Sequence, residues 1–114
     1  MSRSLFCATL LLIATLQPTN ADCIQDQYGN VVCGGGECVK DEYGKVFCAT
    51  IGGGALRDSH GTVMCGVGDC AMDRDGKVWC STIPGGGAAT DDYGKVKCYK
   101  GCAEGTTARC EQGE

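Results

Sequence analysis

Apolar and polar residues alternate with period two in short runs, most clearly in C-V-K-D-E-Y-G-K-V-F-C at residues 38–48. A frame of Asp, two residues, Gly, one residue, Val, one residue, Cys recurs five times: Asp26 to Cys33, Asp41 to Cys48, Asp58 to Cys65, Asp73 to Cys80 and Asp91 to Cys98. Asp accepts a hydrogen bond from the backbone two residues on, and Gly adopts positive φ without a Cβ clash, so the frame reads as turn chemistry. It predicts a hairpin with a three-residue loop, a type I turn followed by a left-handed Gly in a G1 bulge. In that register Asp41 faces Lys45, Lys40 faces Val46, Val39 faces Phe47 and Cys38 faces Cys48. The cysteines meet at a non-hydrogen-bonded site, where Cα atoms approach to about 4.5 Å. A disulfide can span that gap.

The alternation sorts each hairpin into two faces. Val31, Val46, Val63, Val78 and Val96 share one with the cysteines. The other carries the cross-strand pairs Ile24/Val32, Val39/Phe47, Leu56/Met64 and Ala71/Trp79, which are apolar, and Ala89/Lys97, which is not. Four hairpins thus ask for cover on both faces, which a lone hairpin cannot supply and stacking can. The expected class is all-β, a small disulfide-rich tandem β-hairpin repeat, stacked or solenoid-like. If the hairpins stack in sequence order, Trp79 lies at the edge of the buried ladder and Lys97 begins the solvated end.

Hairpins come in pairs, with double units at about residues 22–54, 55–87 and 88–114. The spacing from Cys33 to Cys65 to Cys98 is in the range of stacked repeats. Thr-Ile-Gly-Gly-Gly and Thr-Ile-Pro-Gly-Gly-Gly separate the units. They have two readings, flexible linkers between independent modules or tight connections where backbone passes close to backbone, and their shortness and the β-prone Thr-Ile favour the second. Residues 102–114 lack the frame and are expected to form a terminal cap, as repeat arrays need.

Residues 1–21, with an early Arg3, an apolar run and small residues before Asp22, read as a secretory signal peptide. The run is shorter than the roughly 18 apolar residues of a membrane anchor, and no membrane span is expected after cleavage. Of eleven cysteines, Cys7 leaves with the leader, so ten remain: Cys23, Cys33, Cys38, Cys48, Cys65, Cys70, Cys80, Cys98, Cys102 and Cys110. An even count in an exported chain implies a disulfide framework and a secreted or periplasmic location. With few large side chains, a single core could hardly exceed about 3 to 5 kcal/mol, so the crosslinks carry the fold. Ten Lys and Arg less Arg3 leave nine scattered basic residues against fourteen acidic ones, which argues against nucleic acid and anionic membranes.

Two connectivities are open. In the hairpin reading, Cys23–Cys33, Cys38–Cys48, Cys70–Cys80 and Cys102–Cys110 cross strands, and Cys65 pairs with Cys98 between units; only that bond is non-local. In the joint reading, Cys33–Cys38, Cys65–Cys70 and Cys98–Cys102 close the short turns, leaving Cys23, Cys48, Cys80 and Cys110 for longer links.

Candidate chemistry is sparse. No Ser, Cys or Asp is placed by motif to partner His60, the single histidine. Asp73-Arg-Asp-Gly76 begins like a calcium loop but lacks the bidentate Glu at the required spacing. Cys-Gly-Gly-Gly-Glu-Cys and Cys-Tyr-Lys-Gly-Cys are not C-x-x-C and lack His partners, so zinc and thioredoxin-like chemistry are not indicated. No catalytic residue, cofactor or metal is expected. The third turn position holds Tyr28, Tyr43, His60, Asp75 and Tyr93, so stacked hairpins could present aromatic rings in line to sugars, peptides or cations. The plainer reading is that Tyr is tolerated there and lies over a neighbouring strand.

The leader, the D-x-x-G-x-V-x-C hairpins and the P-G-G-G-A connection resemble small Gly/Cys-rich secreted repeat proteins of bacteria. The resemblance spans nearly all of residues 22–114 and implies secretion and repetition, with no activity attached. The expected function is a non-enzymatic structural or binding module with a protein or cell-envelope partner or self-association. The alternative is a small secreted effector, a toxin or enzyme inhibitor acting on one protein target.

Overall fold

Five antiparallel hairpins follow one another in the computed structural model, which describes residues 22–114. The leader expected at residues 1–21 lies outside the described residues. Strand β1 (Asp22–Gln25) pairs with β2 (Val31–Gly34), β3 (Cys38–Lys40) with β4 (Val46–Cys48), and β5 (Ala55–Arg57) with β6 (Val63–Cys65). Strand β7 (Cys70–Met72) pairs with β8 (Val78–Ser81), and β9 (Ala88–Thr90) with β10 (Val96–Cys98). Beyond them lie β11 (Cys102–Glu104), a 3-10 turn (Thr107–Arg109) and β12 (Glu111–Gln112). The fold is all-β, a disulfide-rich tandem hairpin repeat.

The register is the expected one, with Cys38 opposite Cys48, Val39 opposite Phe47 and Lys40 opposite Val46. The Asp41 amide donates to the Lys45 carbonyl at 2.8 Å, the Gly44 amide to the Asp41 carbonyl at 3.1 Å, and Gly44 has φ 83°. These are the marks of the type I turn plus left-handed Gly.

The hairpins lie side by side in sequence order, the second face of each on the Val/Cys face of the next. Ile24 and Val32 pack on Cys38, Val46 and Cys48, and Val39 and Phe47 pack on Ala55, Val63 and Cys65. Val46, Val63 and Val78 are 7%, 3% and 2% exposed, whereas Val31, in the same register of the first hairpin, is 64% exposed. The buried valines have a preceding hairpin layer, which Val31 lacks, and Val46 and Val78 are also crossed by residues near the C-terminal end. At the far end Ala89 and Lys97 are exposed, the solvated end expected from the pattern.

The connections are tight. The Gly85 amide donates to the Gly52 carbonyl at 2.9 Å, so the two Gly-rich connections stack on each other. Gly53 passes so close to Gly66 that a Cβ there would overlap its carbonyl oxygen. Backbone meets backbone at a separation that only Gly allows.

Residues 102–114 are not a terminal cap, and that expectation is corrected. They run back along the array. Ala103 lies opposite Cys80, Thr106 bridges to Cys65, Glu111 lies opposite Cys48, and Glu114 exchanges hydrogen bonds of 2.7 and 2.8 Å with Cys33. The physical reason is shared by all four contacts. A cysteine at a non-hydrogen-bonded position points its amide and carbonyl out of its own hairpin, and those groups need a partner. The returning strap supplies one at each of the first four hairpins and covers their second-strand edges.

The strap also sets the disulfides. Cys23–Cys33, Cys38–Cys48 and Cys70–Cys80 cross strands as expected, each with Cα atoms 4.0 Å apart. The Cys102–Cys110 and Cys65–Cys98 pairs of the hairpin reading do not form; the bonds are Cys98–Cys102, which the joint reading expected, and Cys65–Cys110, which neither reading contained. Because β11 departs along β8, Cys102 stays beside Cys98. The strap then carries Cys110 to the third hairpin, where Cys65 faces Ala55 and has no cross-strand thiol. Of the joint-closing bonds, Cys33–Cys38 and Cys65–Cys70 are likewise absent.

Candidate functional site

The five turns form one ridge along the array. Each begins with an Asp whose Oδ1 accepts two amides; Asp41 takes those of Tyr43 and Lys45 at 2.9 and 3.0 Å. The same pair recurs at Asp26, Asp58, Asp73 and Asp91. The turn Asp is therefore spent on the backbone, which accounts for Asp73-Arg-Asp-Gly76 without a cation.

Successive turns interlock. The amides of Glu42, Ser59 and Arg74 donate to the carbonyls of Gly61, Gly76 and Gly94 at 3.1, 3.3 and 3.0 Å. The side chain of each donor covers the same Gly, so a Cβ at Gly94 would stand 2.5 Å from Arg74 Cβ. Gly is needed at this position for its positive φ and again for the close approach of the preceding turn.

This interlocking places the third turn residues in sequence order along the ridge. Tyr28, Tyr43 and Tyr93 are 79%, 73% and 78% exposed, and His60 and Asp75 are exposed between them. The rings do not lie buried over a neighbouring strand. Tyr28 and Tyr43 occupy adjacent turns, while Tyr93 stands beyond His60 and Asp75. The Glu42 carboxylate, by hydrogen bonding and by its charge, raises the Tyr43 phenol above its ordinary range. It is a neutral donor at physiological pH.

Troughs open beside the ridge where adjacent turns diverge. One of about 300 Å³ runs from Tyr43 to Phe47 and is floored by Thr107 and Cys110 of the strap. Another, of about 680 Å³, joins Trp79, Arg74 and Tyr93. Trp79 is half-buried, and its Nε1–H donates to Asp73 Oδ2 at 2.9 Å. That bond holds the Asp73 carboxyl below its ordinary range. The Trp79–Asp73 contact was not foreseen, although the six-residue spacing in the frame places both on one hairpin. Lys100 Nζ sits 5.5 Å from the Tyr99 ring centroid, an exposed cation–π pair off the ridge.

Among the described residues no group of three or more His, Cys, Asp or Glu side chains is arranged to hold a metal ion, and no helix is long and apolar enough to cross a membrane. An accessible aromatic ridge over shallow, partly apolar troughs can stack on flat or cationic ligand groups. Comparison with protein-family models, curated proteins and solved structures finds no match to this chain.

Proposed function

We propose that this is a non-enzymatic, secreted or periplasmic structural and binding module that presents its turn ridge to a protein or cell-envelope partner. The observation that carries the reading is the combination of five disulfides with a regular ridge. The bonds make the small array rigid, and the interlocked turns display Tyr28, Tyr43 and Tyr93 to solvent. Rigid aromatic side chains provide contact area at low entropic cost, which suits recognition. The disulfide content suits an oxidising compartment.

Fractionation of the native host followed by pull-down tests the reading. The protein is expected in the extracytoplasmic fraction and to capture a partner that the Tyr28→Ala/Tyr43→Ala/Tyr93→Ala variant releases. Capture that is undiminished by those substitutions would remove the ridge from the account.

A further inference from the structure

The interface that joins one hairpin to the next is left half-made at both ends of the array, and the two halves are complementary. At the first hairpin Val31 is 64% exposed, and the Val/Cys face around it carries Cys23, Gln25 and Cys33, with no charged side chain. A Cβ built at Gly29 meets nothing within 4 Å, whereas Gly44, Gly61, Gly76 and Gly94 are each covered by the preceding turn through Gln27, Glu42, Ser59 and Arg74. At the fifth hairpin the counterpart of those covering residues is Asp92, which is exposed with no turn beyond it. The second face of that hairpin, Ala89 and Lys97, is also uncovered.

The charges at the two ends agree with this match. At internal seams the second-face residue of one hairpin touches the strap where it crosses the Val of the next. Gly113 lies between Val32 and Val46, and Gly105 between Met64 and Val78. At the first hairpin the strap residue is Glu114, whose backbone pairs with Cys33, two positions along the strand from Val31. A depression of about 650 Å³ beside Cys33 is lined by Glu111 and Glu114 together with Ile51, which is 83% exposed. Lys97 can lay its methylene stem on the Val31 face and bring its ammonium to these carboxylates.

We propose that the partner of each end is a second copy of this chain, stacked head to tail, with the Ala89/Lys97 face of one molecule on the Cys23/Val31/Cys33 face of the next. The contact repeats the seam that already joins the hairpins within the chain. Being heterologous, it extends into filaments rather than closing into a dimer. It would bring Tyr93 of one copy next to Tyr28 and Tyr43 of the following copy, turning a broken ridge into runs of three rings. The inference extends the structural half of the proposed function by naming the partner, and does not depend on the ridge binding anything.

Each seam is only two short strands wide, so affinity is at the weak end of specific contacts. The test uses protein recovered after export with its leader processed by the cell. Sedimentation velocity of the wild type is expected to show weight-average mass rising at least twofold between about 10 μM and about 1 mM, lost with Val31→Lys or Lys97→Glu. Both substitutions sit at exposed positions, so circular dichroism should stay unchanged. An equimolar mixture of the two variants decides the geometry. It retains one intact head and one intact tail and sets opposite charges at the two substituted ends, so head-to-tail stacking predicts that mixing restores the association each variant alone lacks. A wild type that stays monomeric to about 1 mM, or a Lys97→Glu protein that still dimerises, overturns the proposal. Ridge-dependent partner capture by a strictly monomeric protein would leave the binding reading standing while this one falls.

Discussion

Breaking the strap bond is the sharpest test of how this array is held together. Cys65–Cys110 closes a separation of 45 residues, against 10 for each cross-strand bond and 4 for Cys98–Cys102. In the chain-entropy description a 45-residue loop is worth about 4 kcal/mol and a four-residue loop about 2 kcal/mol. Cys70–Cys80 and Cys98–Cys102 lie inside the large loop and shorten its effective path, which lowers the first figure to about 3.5 kcal/mol. Cys65 is completely buried, so Cys65→Ala also leaves a small cavity costing about 1 kcal/mol. The Cys65→Ala/Cys110→Ala protein should therefore lose about 4 to 5 kcal/mol and Cys98→Ala/Cys102→Ala about 2 kcal/mol. The first loss is comparable to the whole stability of a marginal domain. Guanidinium unfolding followed by circular dichroism under non-reducing conditions measures both, and limited trypsin digestion reads the strap directly through cleavage after Arg109. Equal losses in the two variants, or an Arg109 bond no more labile than in the wild type, would refute the view that the strap ties the hairpins.

Other outcomes follow from the same geometry. Trp79→Ala should cost about 2 kcal/mol, between the values for a core and an exposed indole, because the ring is half-buried and its N–H is bonded to Asp73; a loss under about 0.5 kcal/mol would remove Trp79 from the packed ladder. The Asp73 carboxyl is held low in the folded chain, so its contribution is complete above the ordinary Asp value near 3.9. That contribution is lost as pH falls through the lowered value, and Trp79 fluorescence should report the transition there; a midpoint above the ordinary value would contradict the bond. Gly29→Ala and Gly94→Ala impose the same φ penalty, at 84° and 80°, of about 1 kcal/mol. Only the second collides with a neighbouring turn, so in dilute monomer Gly94→Ala should destabilise by at least about 1 kcal/mol more, and equal thermal shifts would mean that the turns do not interlock. The exported protein should show no alkylatable thiol by intact mass, and strong reductant should abolish cooperative melting; a surviving transition would mean the apolar core suffices alone.

Much of this architecture is local and so was legible in the chain. The Asp-x-x-Gly turn sets its own hydrogen bonds and fixes the register, and register determines which side chains share a face. Hence the facing cysteines at 23/33, 38/48 and 70/80, the buried valines and the solvated end at Lys97 all followed from spacing. The ridge followed as well, because identical turns stacked in order place their third residues in line. What spacing could not carry was the course of residues 102–114, which have no alternation strong enough to announce a strand and pair with sequence up to 81 residues away, from Cys33 to Glu114. Their partners are the outward backbone groups of four hairpins, which belong to no side-chain pattern. With that course unknown, two connectivities stayed open, one pairing Cys102 with Cys110 and Cys65 with Cys98, the other closing Cys98–Cys102 and Cys65–Cys70, and neither placed Cys110 on Cys65. The tertiary structure decided otherwise because the unpaired amides and carbonyls at Cys80, Cys65, Cys48 and Cys33 drew the strap back along the array, and the last two disulfides closed wherever it placed the sulfurs.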